Sequence, residues 1–199
     1  PLCERLLRER WAGLGVIMVT PTRALVNDLY TRLCAPAEEI GITVGRKTAD
    51  HAISTNLAEQ FLITTPESLE SLLTFRRQAL VNLRALIIDE IHLLDGSPRG
   101  DQLRWLLQRL SAFLHYARQE DGGACQRIAL SATVSDPERL AACYLGDTSD
   151  VVRVAGQRDI EAHILSVAGD DGDRARAAVD SVAEIDSVRK VLIFVNSRR

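Results

Sequence analysis

The stretch LRALIIDEIHLLDG, residues 83–96, decides how this chain is read. An unbroken apolar run (Ala85, Leu86, Ile87, Ile88) stops at two adjacent carboxylates, Asp89 and Glu90, and His92 follows. Continuous hydrophobicity over a few residues, partly β-branched, is the pattern of a parallel strand covered on both faces. The two acids at its end have two readings. Either they favour the N-terminus of the next element through its dipole, or they handle a metal ion and a water. The short motif alone leaves both open.

Working outward, similar runs recur: GVIMVT (15–20), FLIT (61–64) and RIALS (127–131), with further strand candidates VVRV (151–154), HILSV (163–167) and VLIFV (191–195). Between them, residues 23–33, 66–73, 101–117 and 137–145 carry helical patterns. Pro66 and Pro137 stand where first-turn prolines are tolerated, with Thr65 and Asp136 as N-cap candidates. The opening PLCERLLRERW reads as part of an amphipathic helix, and DGDRARAAVDSVAEI (171–185) as another helical pattern. Strand and helix alternating in this way predict an α/β fold with a parallel sheet. RQEDGGACQ (118–126) is expected to be a surface loop and VAGQRDIEAH (154–163) a connection between two domains.

Composition narrows the function classes. The 199 residues are 46% hydrophobic and 26% charged, which are ordinary globular values. No apolar run reaches the roughly 20 residues of a membrane-spanning helix, so no membrane partner is expected. Cys3, Cys34, Cys125 and Cys143 are scattered without a C-x-x-C pair, which argues against a disulfide framework or a zinc site and fits a reducing, cytoplasmic setting. Net charge is -3, so no global basic field marks a nucleic-acid binder, although a local groove can still be basic. Only Lys47 and Lys190 are lysines; the remaining positive charge is arginine, whose planar fork suits phosphate.

In an open parallel sheet, ligands bind beyond the carboxyl ends of the strands. There the sequence places TPTRAL after the first strand, TTPESL after the second, DEIH after the third and SAT after the fourth. Their convergence at one edge outweighs any single motif. Asp89 suits a Mg²⁺ ion held through water, and Glu90 the orientation and deprotonation of an attacking water. His92, with Ser131 and Thr133 delivered by a neighbouring strand, is a candidate relay of nucleotide state. Both Thr-Pro motifs offer backbone N–H groups and hydroxyls at helix starts, and Arg23 adds a charge-assisted contact to phosphate. Ordinary helix capping explains either Thr-Pro motif taken alone.

One look-alike is rejected. GITVGRKT (41–48) resembles G-x-x-x-x-G-K-[ST], but Arg46 stands where the second glycine must let the backbone wrap a phosphate. Arg46, Lys47 and Asp50 are instead expected in a surface turn within reach of nucleic acid.

Taken in order, PTRAL, TTPES, DEIH, SAT and FVNSRR resemble motifs Ia, Ib, II, III and IV of superfamily-two helicases, and the wording TPTRALVNDLY, DEIHLLDGSPRGDQL and LSATV is similar to the Lhr, or large helicase-related, family. The resemblance covers nearly the whole chain. It implies a RecA-like helicase core of the P-loop NTPase type: a first domain over residues 1–155, a linker at 156–160, and the beginning of a second domain at 161–199. It implies an ATP-dependent helicase or translocase using ATP and Mg²⁺ on DNA or RNA, single-stranded or with a single-stranded tail. Asp89, Glu90 and His92 would form the hydrolytic box, with Mg²⁺ on Asp89 through water. Ser131, Ala132 and Thr133 would couple hydrolysis to strand movement. Pro21, Thr22, Arg23, Thr65, Pro66, Glu67, Ser68, Asn196, Ser197 and Arg198 would line the nucleic-acid path.

The departure from the family pattern is the phosphate-cradling Walker A loop, expected just before residue 1, so the 199 residues read as a fragment that is inactive alone. Two rival readings stay open: a non-enzymatic clamp for nucleic acid or protein using the same surface, and a metal phosphohydrolase built directly on Asp89, Glu90 and His92. The second needs further ligands, which His51, His115 and His163 do not recognisably supply. Oligomeric state, polarity of movement and the choice between DNA and RNA are not legible.

Overall fold

The computed structural model describes residues 1–50, 59–118, 124–132, 134–146, 148–154 and 166–183. The chain divides into two compact units, Pro1–Arg153 and Val154–Arg199. The first unit carries five parallel strands: β1 (Val16–Val19), β2 (Val44–Lys47), β3 (Phe61–Thr64), β4 (Ala85–Ile88) and β5 (Gln126–Ala129), in the order β2-β3-β1-β4-β5. Its helices are α1 (Leu2–Arg8), α2 (Arg23–Glu39), α3 (Pro66–Phe75), α4 (Pro98–Ala117) and α5 (Pro137–Tyr144). In the second unit the described element is α6 (Asp171–Ala183).

The apolar runs are continuous because alternate side chains enter two separate cores. Ile17, Val19, Leu62, Leu86 and Ile88 pack with Leu69 and Leu72 of α3, Leu103, Leu106 and Leu110 of α4, and Leu140 and Tyr144 of α5. Val16, Met18, Phe61, Ile63 and Ala85 face the other way, toward Leu6 of α1, Trp11, Val26 of α2 and Ile42. Both faces are therefore dry, which is what a parallel sheet requires. Leu62, Leu86 and Ile88 are fully buried at 0% exposure. At about 25 cal/mol per Å² of apolar surface removed from water, burial on this scale is the main favourable contribution to folding.

Register puts four strand ends in one row: Val19 lies beside Thr64 and Ile88, and Ile88 beside Ala129. Each helix after a strand end is started by a local device. Thr22, extended at φ -135°, accepts from the Leu25 N–H at 3.2 Å, Ser97 accepts from the Gly100 N–H at 3.2 Å, and Asp136 accepts from the Arg139 N–H at 2.9 Å. Thr65 occupies the N-cap position of α3 without a side-chain cap bond, and Pro66 fills the first turn.

Three expectations are corrected. Residues 151–154 form no strand: Val152 and Val154 are 85% and 92% exposed, so this β-branched run has no sheet to enter. Arg46 and Lys47 stand in edge strand β2 rather than in a turn, with the Arg46 guanidinium donating to Asn27 Oδ1 at 2.9 Å and lying 4.6 Å from the Tyr30 ring centroid. Lys47 Nζ donates to Ser71 Oγ at 3.1 Å. Charges on an edge strand also guard it against pairing with another chain. The first long helix continues to Glu39 with Pro36 inside it, six residues beyond the expected stop at Leu33. The predicted HILSV strand (163–167) falls mostly, and VLIFV and the 156–160 linker entirely, outside the described residues.

Candidate functional site at the carboxyl edge of the sheet

The DEIH box is pinned from both sides. The Asp89 N–H donates to the Val19 carbonyl at 2.8 Å, the Leu130 N–H to the Ile88 carbonyl at 2.8 Å, and the Ile91 N–H to the Leu130 carbonyl at 3.2 Å. Glu90 adopts left-handed backbone, φ 46° and ψ 44°, which costs a non-glycine residue about 1–2 kcal/mol. Such strain persists where the surroundings over-determine it, commonly at functional sites. Here the following turn, Ile91–Leu93, is anchored by Ile91 and Leu94, both buried, so the chain reverses sharply and both carboxylates stay near the strand end.

Asp89 is half-buried. That burial, and secondarily the Glu90 charge beside it, push its carboxyl above the usual carboxylate range. Among the described residues no Lys or Arg forms an ion pair with Asp89, so a cation bound through water would relieve the repulsion. This donor set fits a hard divalent ion that keeps most of its hydration. Among the described residues no group of three or more His, Cys, Asp or Glu converges on one point, so the metal-phosphohydrolase reading finds no ligand cage.

His92 joins two strand ends. Its Nδ1 lies 2.9 Å from Ser131 Oγ, in a hydrogen bond whose direction depends on the tautomer, and 3.4 Å from Glu90 Oε2. Ser131 and Ala132 are exposed, whereas Thr133, like Asn196, Ser197 and Arg198, lies outside the described residues.

The two Thr-Pro turns sit on the neighbouring strand ends, with their predicted residues divided. Thr22, Arg23 and Glu67 are exposed; Pro21, Thr65, Pro66 and Ser68 are buried, so these four shape the turns rather than presenting side chains outward. Thr20, fully buried, donates from its hydroxyl to the Thr22 carbonyl at 3.1 Å, and Thr64 donates likewise to the Lys47 carbonyl at 2.9 Å. Arg23 pairs with Asp50 at 2.9 Å. With Ala49 and Arg99, residues 21–23, 65, 67 and 68 line a surface cavity of about 410 Å³ between the turns.

Two residues that sequence reasoning left without a role organise this edge. Arg99, in the first turn of α4, donates from Nε to Glu67 Oε1 at 2.6 Å, from one Nη to Glu67 Oε2 at 3.1 Å, and from the other Nη to the Pro21 carbonyl at 2.6 Å. Burial alone would raise the Glu67 carboxyl, but Arg99, a backbone N–H and the Thr65 hydroxyl together hold it below the usual range. Asp95 pairs with Arg139 of α5 and accepts from the Tyr144 hydroxyl at 3.4 Å. Burial, then the Asp95 charge, push that phenol up to about 12. Contacts across 32 to 78 residues of chain leave no local signal in the sequence; the only cue was that Asp95 and Arg99 fall in the loop and helix start directly after the box.

A sequence model of the DEAD/DEAH box helicase family matches residues 1–140. The Lhr helicase/uracil glycosylase of Escherichia coli strain K12 is 30% identical over 92% of this chain and 14% of its own length. The ATP-dependent DNA helicase Hel308 of Methanococcus vannielii is 28% identical over 100% of this chain and 27% of its own length. The chain thus spans less than a third of these relatives. A solved structure of Mycobacterium smegmatis helicase Lhr bound to ssDNA and AMP-PNP superimposes with a TM-score of 0.64 at 30% identity, over 91% of this chain and 27% of that one. Carrying that family's motifs in order on a RecA-like parallel sheet, the chain belongs to the DEAD/DEAH box helicases of superfamily two, on their Lhr-like side.

Proposed function

We propose that residues 1–155 are the body of the first motor domain of an ATP-dependent helicase or translocase, that residues from about 161 open its second, and that the motor acts on single-stranded nucleic acid. The observation that carries this reading is the His92–Ser131 hydrogen bond of 2.9 Å, which ties the DEIH strand end to the SAT strand end. A nucleotide held against Asp89 and Glu90 would be sensed there without touching β5 directly.

Each residue has a defined task. Asp89 would hold Mg²⁺ through water, and the ion, when bound, would supply neutralisation of charge on the terminal phosphates. Glu90 would accept a proton at its carboxylate from the attacking water and align that water with the phosphorus. His92 would keep the Glu90 carboxylate and the Ser131 hydroxyl in register through one ring nitrogen. Ser131, Ala132 and Thr133 would pass the change to the strand-bearing surface, where Thr22, Arg23 and the turn backbones meet phosphate, with Asn196, Ser197 and Arg198 contributing from the second domain. Among the described residues no helix is long and apolar enough to cross a membrane, and a cytoplasmic site of action goes with the scattered free cysteines.

The 199 residues contain no G-x-x-x-x-G-K-[ST] segment, and the look-alike is strand β2, hydrogen-bonded to β3. This chain by itself is therefore predicted to show no ATP turnover. In a longer helicase polypeptide containing it, Glu90→Gln is expected to lower nucleic-acid-stimulated ATP hydrolysis by at least about 100-fold, the scale of a lost general base, with oligonucleotide affinity retained. Undiminished turnover would refute the assignment of Glu90.

A further inference from the structure

Glu67 is an anomaly on a surface meant to meet phosphate. It is a carboxylate, half-exposed, at the mouth of the cavity between the two Thr-Pro turns, where it should repel a nucleic-acid backbone. Its only ion-pair partner among the described residues is Arg99, which meets it in the two-point fork geometry that arginine and carboxylate favour. The remaining Nη of the same guanidinium reaches the Pro21 carbonyl. One side chain thus spans the turn after β1 and the turn after β3. It does so from the first turn of α4, the helix entered directly from the DEIH segment through Gly96, Ser97 and Pro98.

Stability does not account for this arrangement. Arg99 and Glu67 are 41% and 50% exposed, and ion pairs at such exposure contribute little to stability. What the contact fixes is geometry: the spacing of the two turns, and the direction of a guanidinium otherwise free to sweep the surface. It also neutralises the acid that the second Thr-Pro turn presents, leaving Arg23 and the turn N–H groups to face phosphate. Among the described residues Arg23 pairs with Asp50, at 57% and 63% exposure, a contact weak enough to be exchanged.

We propose that Arg99 is a positioning residue for the single-stranded nucleic-acid path: by clamping Glu67 and the Pro21 carbonyl it sets the gap between the two turns and masks the Glu67 charge, without itself touching nucleic acid. This rests on the reading of the carboxyl edge as the nucleic-acid face. It has two consequences that a simple acid-and-base inventory would reverse. Glu67→Gln weakens binding instead of strengthening it, although it removes a negative charge. Arg99→Gln weakens binding without removing a phosphate contact.

The test is fluorescence anisotropy of the 199-residue chain with a fluorescein-labelled 15-mer oligothymidylate, as a function of salt, for wild type, Glu67→Gln, Arg99→Gln and the double variant, with thermal unfolding followed in parallel. Each single variant is expected to weaken binding by about 5–10-fold. The double variant should be no worse than the weaker single, as expected for two residues acting as one unit. The slope of log affinity against log salt should be unchanged by Arg99→Gln, since loss of a direct phosphate contact would reduce it by about 0.7 on a single strand. Melting temperatures should stay within about 2 °C of wild type, in keeping with an exposed pair. Multiplicative effects of the two substitutions, tighter binding by Glu67→Gln, or a slope reduced by about 0.7 would each overturn the proposal. Absence of binding by the wild-type chain would instead refute the nucleic-acid reading of this edge.

Discussion

Gly100→Ala is the substitution in which local and tertiary expectations oppose each other most sharply. Gly100 lies in the first turn of α4, where alanine would ordinarily stabilise a helix by up to about 1 kcal/mol. A Cβ at this position, however, would lie 2.2 Å from the Leu94 carbonyl oxygen, 2.9 Å from its carbon and 2.7 Å from the Tyr144 hydroxyl. Reaching even 3.0 Å from that oxygen requires a withdrawal of about 0.8 Å, by difference from the 2.2 Å contact. The oxygen is backbone and is engaged by both the Ser97 N–H, at 3.1 Å, and the Ser97 hydroxyl, at 2.6 Å. Moving it disturbs the cap of α4. Overpacking costs about 1–3 kcal/mol, cap damage about 1 kcal/mol, and the propensity gain offsets up to about 1 kcal/mol. The net expectation is a loss of about 2 kcal/mol, or roughly 4–8 °C in melting temperature for a chain of this size. Urea unfolding followed by circular dichroism measures it. A variant as stable as wild type, or more stable, would show that α4 does not start against Leu94 and Tyr144 as described.

Leu86→Ala, at a fully buried site in β4, is expected to cost about 2–5 kcal/mol in the same urea assay; a loss below about 1 kcal/mol would contradict the two-sided burial of the central strands. Burial pushes the Cys125 thiol up to about 11, leaving a thiolate fraction of about one in a thousand at pH 8. Iodoacetamide at that pH should therefore label exposed Cys143 well before Cys125, as read by peptide mass spectrometry. The Glu67 carboxyl is held below its usual range, so the Arg99 clamp should persist above the ordinary glutamate pKa of about 4.3 and be lost only as pH falls through the lowered folded value. Carboxyl carbon NMR should show the Glu67 midpoint rising in Arg99→Gln, where burial is left unopposed; an unmoved midpoint would exclude the contact in solution.

The main architecture was legible because it rests on local signals. FLIT, ALII and VIMV announce buried strands by unbroken hydrophobicity, and Pro66 and Asp136 announce two of the helices that follow. Strand β2 was legible only at its apolar start, where ITV (42–44) reads as a short strand; its continuation through Arg46 and Lys47 was not, because an edge strand does not need an apolar run and its charges are drawn onto Asn27, Tyr30 and Ser71. The run VVRV misled for the opposite reason, since β-branching favours a strand only where a neighbouring strand accepts it. At the site, Asp89, Glu90, His92 and Ser131 could be named from the sequence, as their grouping follows from strand order alone. The roles of Asp95 and Arg99 could not, because a guanidinium's partners depend on how α3, α4 and α5 pack. Nor does a motif indicate that Pro21, Thr65, Pro66 and Ser68 turn inward while Thr22, Arg23 and Glu67 face out.

The central claim is that the carboxyl edge of the sheet is the nucleic-acid face. The most direct measurement is photocrosslinking of the 199-residue chain to an oligonucleotide carrying 4-thiothymidine, with the modified peptides located by mass spectrometry. Crosslinks are expected at the exposed residues of the two turns, Thr22, Arg23 and Glu67. Crosslinks confined instead to the opposite edge, around Arg84, His115 and Arg118, would contradict it.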